Sequence, residues 1–246
     1  MGTDGPGLIR QYGTATPEPA PCHIQLGALS FVWQSGALRW LRIGDIEIVR
    51  GIAAVLRDPQ WGTHTPIVDG ERIEVAHRHA SLAQDFHLST DGPDAGGESL
   101  LRGQLRVEAT EHRVTVDLAL EVLIDFTTAR SGVSMLLPLA GVVGGEIQVL
   151  HTDGQRETKR LPRLISPSQP LFDIRQLQLS PALDVTVKVD FEGDVFEMED
   201  QRNWSDASFK IYNRPLAWPT PYVLGAGDRV VQRVVVSAVD SGRTPG

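Results

Sequence analysis

Apolar and polar residues alternate along much of this chain with a period of two, the spacing that sends successive side chains to opposite faces of a β-strand. Val114, Val116, Leu118, Leu120 and Val122 set against Thr115, Asp117, Ala119 and Glu121 predict a long, half-buried strand over 113–124. Leu38-Arg39-Trp40-Leu41-Arg42-Ile43 alternates, Gly44-Asp45 turns, and Ile46-Glu47-Ile48-Val49-Arg50 returns, which is a meander signature. Two further strands flank a Gly27 turn, in His23-Ile24-Gln25-Leu26 and Leu29-Ser30-Phe31-Val32-Trp33. Ile52 to Leu56 is more continuously apolar and suits the interior of a sandwich. Strands are also predicted at 72–76, 83–89, 100–109, 133–137, 146–150, 183–192 and 228–239. Asp91 to Gly97 reads as a hairpin tip, and 161–170 as a Pro-punctuated connection. No stretch holds helical periodicity for three turns. The expected fold is therefore all-β, an antiparallel two-sheet β-sandwich, with 23–240 as one domain after a Gly- and Pro-rich lead-in (1–22) and before a short tail (241–246).

The same alternation singles out 195–212. Glu197 and Glu199 share a strand face opposite Phe196 and Met198, while Ser208, Lys210 and Tyr212 share one opposite Phe209 and Ile211. Paired as a hairpin, the stretch would bury one face and present two carboxylates, an ammonium and two hydroxyls on the other. Carboxylates two apart on a strand project in parallel, so they suit general acid and base work or clamping of sugar hydroxyls. A solvated strand face is the bland alternative. Asp200, Arg202, Asn203 and Asp206 fit either a site or a turn stabilised by Asx bonds and an Arg–carboxylate pair. Trp204 suits a sugar-ring platform or a core cap, and Lys210 an oxyanion partner or a counter-charge to the glutamates. Asp58 and Trp61 are further substrate-binding candidates, and His64 and His151 are loop histidines suited to acid–base work.

Composition narrows the classes. The chain has 246 residues, a formal net charge of −8 and 41% hydrophobic residues, enough for a sizeable core. Without a dense Lys/Arg patch, nucleic acid is not an expected partner. Cys22 is the one cysteine, so neither an intrachain disulfide nor a thiolate metal cluster can form. His77, His79 and His87 lack a carboxylate at a recognised ligand spacing, so no metal is expected. The absence of a nucleophile elbow, a phosphate loop or a dinucleotide fingerprint argues against a serine hydrolase and against a cofactor. No apolar run is of transmembrane length and residues 1–20 carry no signal-peptide pattern, so a cytoplasmic protein without a membrane partner is expected.

The run from Phe196 to Lys210 resembles the N-terminal β-domain of the D-apionate lactonase family, bacterial proteins of branched-sugar catabolism. Shorter similarities occur in order at 49–52, 55–63, 151–154 and 164–174. Members of that family continue into a large barrel domain and a further β-domain. Where the family tends to have Asn-Arg-Thr-Gly and then Leu-His-Pro, this chain has Ala129-Arg130-Ser131-Gly132 and Leu136-Leu137-Pro138, so Leu137 stands at a histidine position. The resemblance implies a carbohydrate or lactone substrate, and a galactose-mutarotase-like sandwich is one form the fold could take.

The expected function is an enzyme acting on a small polyhydroxylated carbonyl compound, most concretely a sugar lactone, with Glu197 or Glu199 activating water and Lys210 and Arg202 stabilising the oxyanion. Two alternatives stay open. The same groups could serve an isomerase, epimerase or lyase, or the chain could be a non-catalytic carbohydrate-binding or accessory subunit. Expected partners are a carbohydrate-like small molecule and either further copies of the chain or a separate barrel-bearing subunit.

Overall fold

The computed structural model describes residues 9–10, 19–92 and 97–240. Most of the lead-in, the tail and part of the 91–97 hairpin tip lie outside the described residues. Val114, Val116, Leu118, Leu120 and Val122 are all buried, and the residues between them are partly or fully exposed. The same rule builds the other strands. In chain order they are β1 (Cys22–Leu26), β2 (Leu29–Gln34), β3 (Ala37–Ile43), β4 (Ile46–Arg57), β5 (Ile67–Val75), β6 (His79–Ser89), β7 (Ser99–Thr110), β8 (Arg113–Val122), β9 (Phe126–Thr128), β10 (Arg130–Pro138), β11 (Glu146–His151), β12 (Arg156–Arg160), β13 (Leu171–Ala182), β14 (Val185–Glu192), β15 (Phe196–Asp200), β16 (Ser208–Asn213), β17 (Tyr222–Leu224) and β18 (Arg229–Asp240). A single 3₁₀ turn, Gln201–Trp204, joins β15 to β16.

Pairing is antiparallel and continuous in the order β1-β2-β3-β4-β10-β16-β15-β13-β14-β18-β8-β7-β6-β5, with β11 and β12 added beside β13 and a small β9–β17 pair apart. The path folds into two layers at β13. Leu171 and Ile174 pair with Met198 and Phe196 of β15, whereas Gln176 to Ala182 pair with β14. Asp173, at φ +51°, sits in the irregular register between the two halves and re-aims the strand. The architecture is thus an all-β antiparallel sandwich.

The layers are joined by polar as well as apolar contacts. Trp33 Nε1 on β2 donates to Glu71 Oε1 on β5 at 2.7 Å, and Val133 N on β10 donates to Gln232 Oε1 on β18 at 2.7 Å. Between them lies one apolar core that includes Phe31, Trp33, Phe86, Phe191, Phe196 and Phe209. Gly103 of β7 is required by this packing, because a Cβ there would stand 2.2 Å from the Phe86 ring. Among the described residues no helix is long and apolar enough to cross a membrane.

Candidate functional site

The hairpin β15–β16 forms with Glu197 opposite Tyr212 and Glu199 opposite Lys210. Its core face, Phe196, Met198, Phe209 and Ile211, is fully buried. On the other face the register continues into β10, where Ser134 meets Tyr212 and Leu136 meets Lys210, and into β4, where Arg130 meets Arg57. Period two therefore carries Arg130, in steps from Leu136, onto the face of Lys210 and Glu199. Here the surface dips into a cleft of about 500 Å³ lined by Arg57, Trp61, Arg130, Glu199, Gln201, Trp204, Lys210 and Leu216.

The two glutamates have different surroundings. Glu197 is buried, and its Oε1 accepts the Tyr212 hydroxyl at 2.7 Å and the Leu216 amide at 2.9 Å. Burial, together with this carboxylate, pushes the Tyr212 phenol well above its usual range, so it stays a donor. Glu199 instead reaches the cleft, its Oε1 accepting from Trp204 Nε1 at 2.8 Å and its Oε2 from Gln201 Nε2 at 2.9 Å. Lys210 faces it across the hairpin. Burial, helped by the Arg130 and Arg57 charges and opposed by Glu199, lowers the Lys210 ammonium to about 8.

Arg130 is only 5% exposed. Its guanidinium lies 3.6 Å from the Tyr212 ring centroid and 5.2 Å from that of Trp61, and its buried Nε has no hydrogen-bond partner. Burial lowers its pKa, against the pull of Tyr212, Glu199 and Glu197. Trp61 is presented at φ +70° by a loop that Asp58 holds, Oδ1 accepting the Gln60 and Gly62 amides at 2.8 Å each. Arg57 Nη1 donates to Trp61 O at 3.0 Å and to Thr63 Oγ1, fixing the same loop.

Of the residues singled out by sequence, the cleft thus gathers Trp61, Glu199, Trp204 and Lys210, with Glu197 and Tyr212 directly beneath. The others lie elsewhere. Asp200 and Arg202 serve the opposite side of the hairpin. Arg202 Nε and Nη2 bond Asp200 at 2.8 and 2.7 Å, and its Nη atoms donate to the carbonyls of Pro162, Arg163 and Leu164 at 3.0, 2.9 and 3.1 Å. Asp200 also accepts the Ser166 amide at 2.8 Å, and Asn203 Nδ2 donates to Ser166 O. Arg202 is therefore the anchor of the 162–166 segment and does not line the cleft. Burial works to raise the Asp200 pKa, but the bonds from Arg202 and Ser166 outweigh it and hold the carboxyl below its usual range.

Asp206 accepts the Ser208 hydroxyl at 3.2 Å within its own turn. His64 does not line the cleft, and its backbone amide bonds Leu56 O at 3.0 Å. His151, at the end of β11, donates Nδ1–H to Phe172 O at 3.0 Å, pairs Nε2 with Glu157 at 3.1 Å and borders a separate depression. His79 and His87 pair separately with Glu108 and Asp69. Leu137 is fully buried opposite Phe209, so the departure from the family's histidine falls on the core face.

Arg130, Arg57, Gln201 and Leu216 are cleft residues that sequence reasoning did not pick. Arg130 carried a signal, since it is the one charge in the otherwise apolar and small stretch 129–138.

Comparison with known proteins agrees with the architecture. Galactose 1-epimerase from Lactobacillus acidophilus superposes with a TM-score of 0.57 at 9% identity, over 89% of this chain and 93% of that one. A galactose mutarotase-like protein from Lactobacillus casei gives 0.56 at 11% identity, over 89% and 100%. At such identities the likeness is one of fold. In sequence, the D-apionate lactonase of Brucella anthropi is 36% identical over 231 residues, which cover 94% of this chain and 37% of the relative's length. Residues 9–241 match the family described as D-apionate lactonase, N-terminal domain. On that match, which takes in every strand of the sandwich, the chain belongs to the D-apionate lactonase family through its N-terminal domain.

Proposed function

We propose that the cleft binds and hydrolyses a small sugar lactone. The observation that carries this is the convergence of one solvent-reaching carboxylate, Glu199, with a partly desolvated ammonium, Lys210, between the exposed indoles of Trp61 and Trp204. Indole faces suit the C–H side of a sugar ring. In the reaction Glu199 takes a proton from water as the water oxygen bonds to the lactone carbonyl carbon. Lys210, as the ammonium, stabilises the resulting oxyanion. The ring C–O bond then breaks, and the departing alkoxide receives the proton from the Glu199 carboxyl, giving the open-chain hydroxy acid. Trp204 and Gln201 fix the carboxylate orientation, and Glu197 positions Tyr212 and the Leu216 backbone from below.

The test is turnover of five-carbon aldonolactones by the purified chain, measured against buffer alone, with Glu199→Gln as control. A rate that matches buffer, or is unchanged in the variant, overturns the proposal. A second reading, in which this domain binds the sugar and chemistry lies elsewhere in a longer protein or partner, draws support from the chain spanning 37% of the relative's length. It predicts that Glu199→Gln leaves ligand affinity intact and that the isolated chain has no activity to lose.

A further inference from the structure

Among the described residues the cleft holds a buried cation, Arg130, that Glu199 and Glu197 reach only at longer range. Among the described residues no carboxylate lies within ion-pair distance of Arg130, and its Nε is buried without a partner. Removing a guanidinium from water is costly unless it is paired and hydrogen-bonded. Stacking on Tyr212 and Trp61 offsets part of that cost. It does not satisfy the buried Nε.

Charge around the cleft is biased in the same sense. Arg57, Arg130 and Lys210 line it against the single carboxylate Glu199, although the whole chain carries −8. Arg57 is partly committed to the Trp61 loop, so Arg130 and Lys210 are the cations left to meet a ligand. A neutral sugar would leave Arg130 without a direct ion pair and Glu199 as the one carboxylate against three cations, whereas a carboxylate matches a planar guanidinium fork and an adjacent ammonium.

We propose that Arg130, with Lys210 beside it, forms a carboxylate subsite, so that the cleft prefers an open-chain polyhydroxylated acid to the neutral polyol or lactone of the same carbon count. The inference rests on the assignment of the cleft to sugar-lactone chemistry and specifies it. Negative charge appears on the carbonyl oxygen in the tetrahedral intermediate, and a site that favours the anion over the neutral ground state has the complementarity that hydrolysis needs. The hydrolysed acid then remains bound as a competitive product.

The experiment is calorimetric titration of the chain with D-ribonate, ribitol and D-ribono-1,4-lactone at about pH 7, where ribonate is ionised. Wild type is expected to bind ribonate about tenfold or more tightly than ribitol, the range of a charge-assisted hydrogen-bond pair. Arg130→Met should bring the ratio to within about twofold while leaving ribitol affinity unchanged within about twofold. Should that variant fail to fold, the wild-type ratio decides by itself. Between about pH 7 and pH 9.5 ribonate affinity should fall as Lys210 loses its proton, with ribitol unaffected. Equal binding of ribonate and ribitol by wild type overturns the carboxylate subsite and leaves the sugar assignment standing. A ribonate preference that survives Arg130→Met overturns the role of Arg130. Failure to bind any of the three compounds overturns the sugar assignment itself.

Discussion

The two sides of the β15–β16 hairpin each hold an arginine against an aromatic ring, and the arginines have opposite surroundings. On the far side Arg202 lies 5.2 Å from the Phe209 ring centroid, is bidentate to Asp200 and donates to carbonyls of the 162–166 segment. Its pKa is raised, chiefly by the hydrogen bonds to Asp200. On the cleft side Arg130 lies closer to its ring, 3.6 Å from the Tyr212 centroid, has no paired carboxylate and has its pKa lowered by burial. The satisfied guanidinium anchors backbone, and the unsatisfied one is free to meet the ligand proposed above. The difference separates a structural arginine from a candidate binding one where residue type alone could not.

The largest effect that would break this comparison is on stability. Arg202→Met leaves Asp200 buried and uncompensated, and should lower unfolding free energy by about 3–5 kcal/mol in urea titrations. The activity of the protein that remains folded should change less than about twofold. A large catalytic loss in the folded fraction would return Arg202 to the site. Asp200 adds an acid limb, because its folded pKa is depressed. Its stabilisation is complete above the unfolded value of 3.8 and is lost as pH falls through the lower folded value.

Next in size, Glu199→Gln should reduce kcat about a hundredfold or more, with ligand affinity changed by less than about threefold in titrations. A pH series sharpens the role of Lys210. Its folded value of about 8 lies below the unfolded 10.5, so between the two the unfolded chain holds a proton that the native chain has released. Stability from this group therefore rises with pH across that window, while the oxyanion contribution to rate falls above about 8. Activity and melting temperature should move in opposite directions there, and Lys210→Met should abolish both trends. The smallest effect is Trp204→Ala, which should weaken ligand binding by about fivefold, roughly 1 kcal/mol, and leave the melting temperature unchanged because the indole is 72% exposed.

Much of the fold was legible because its strands obey strict alternation, as over 113–124. Strands escaped notice where alternation had no work to do or was interrupted. β12, Arg156-Glu157-Thr158-Lys159-Arg160, is an edge strand with no apolar face, and β13 breaks its period at Asp173. For the site, the shared face of Glu197 and Glu199 followed from period two. Which of them meets solvent did not, since the Leu216 amide and the Tyr212 hydroxyl that engage Glu197 are supplied by tertiary structure. Arg202 lies away from the cleft because the 3₁₀ turn ends the strand period that would fix its side. Arg130 arrives from β10, far away in sequence, and only strand register brings it beside Lys210.

The shared strand β13 has a further consequence. Leu171 and Ile174 are hydrogen-bonded into the layer that carries Glu199, and Gln176 to Ala182 into the layer that carries β14 and β18. Among the described residues β13 thus ties the two layers together, so one should not melt while the other persists. Loss of pairing at β14 loosens β13, the strand that β15 pairs with, so the amide protons of β14 and β15 should exchange with a common opening free energy, and the domain should unfold as one cooperative unit.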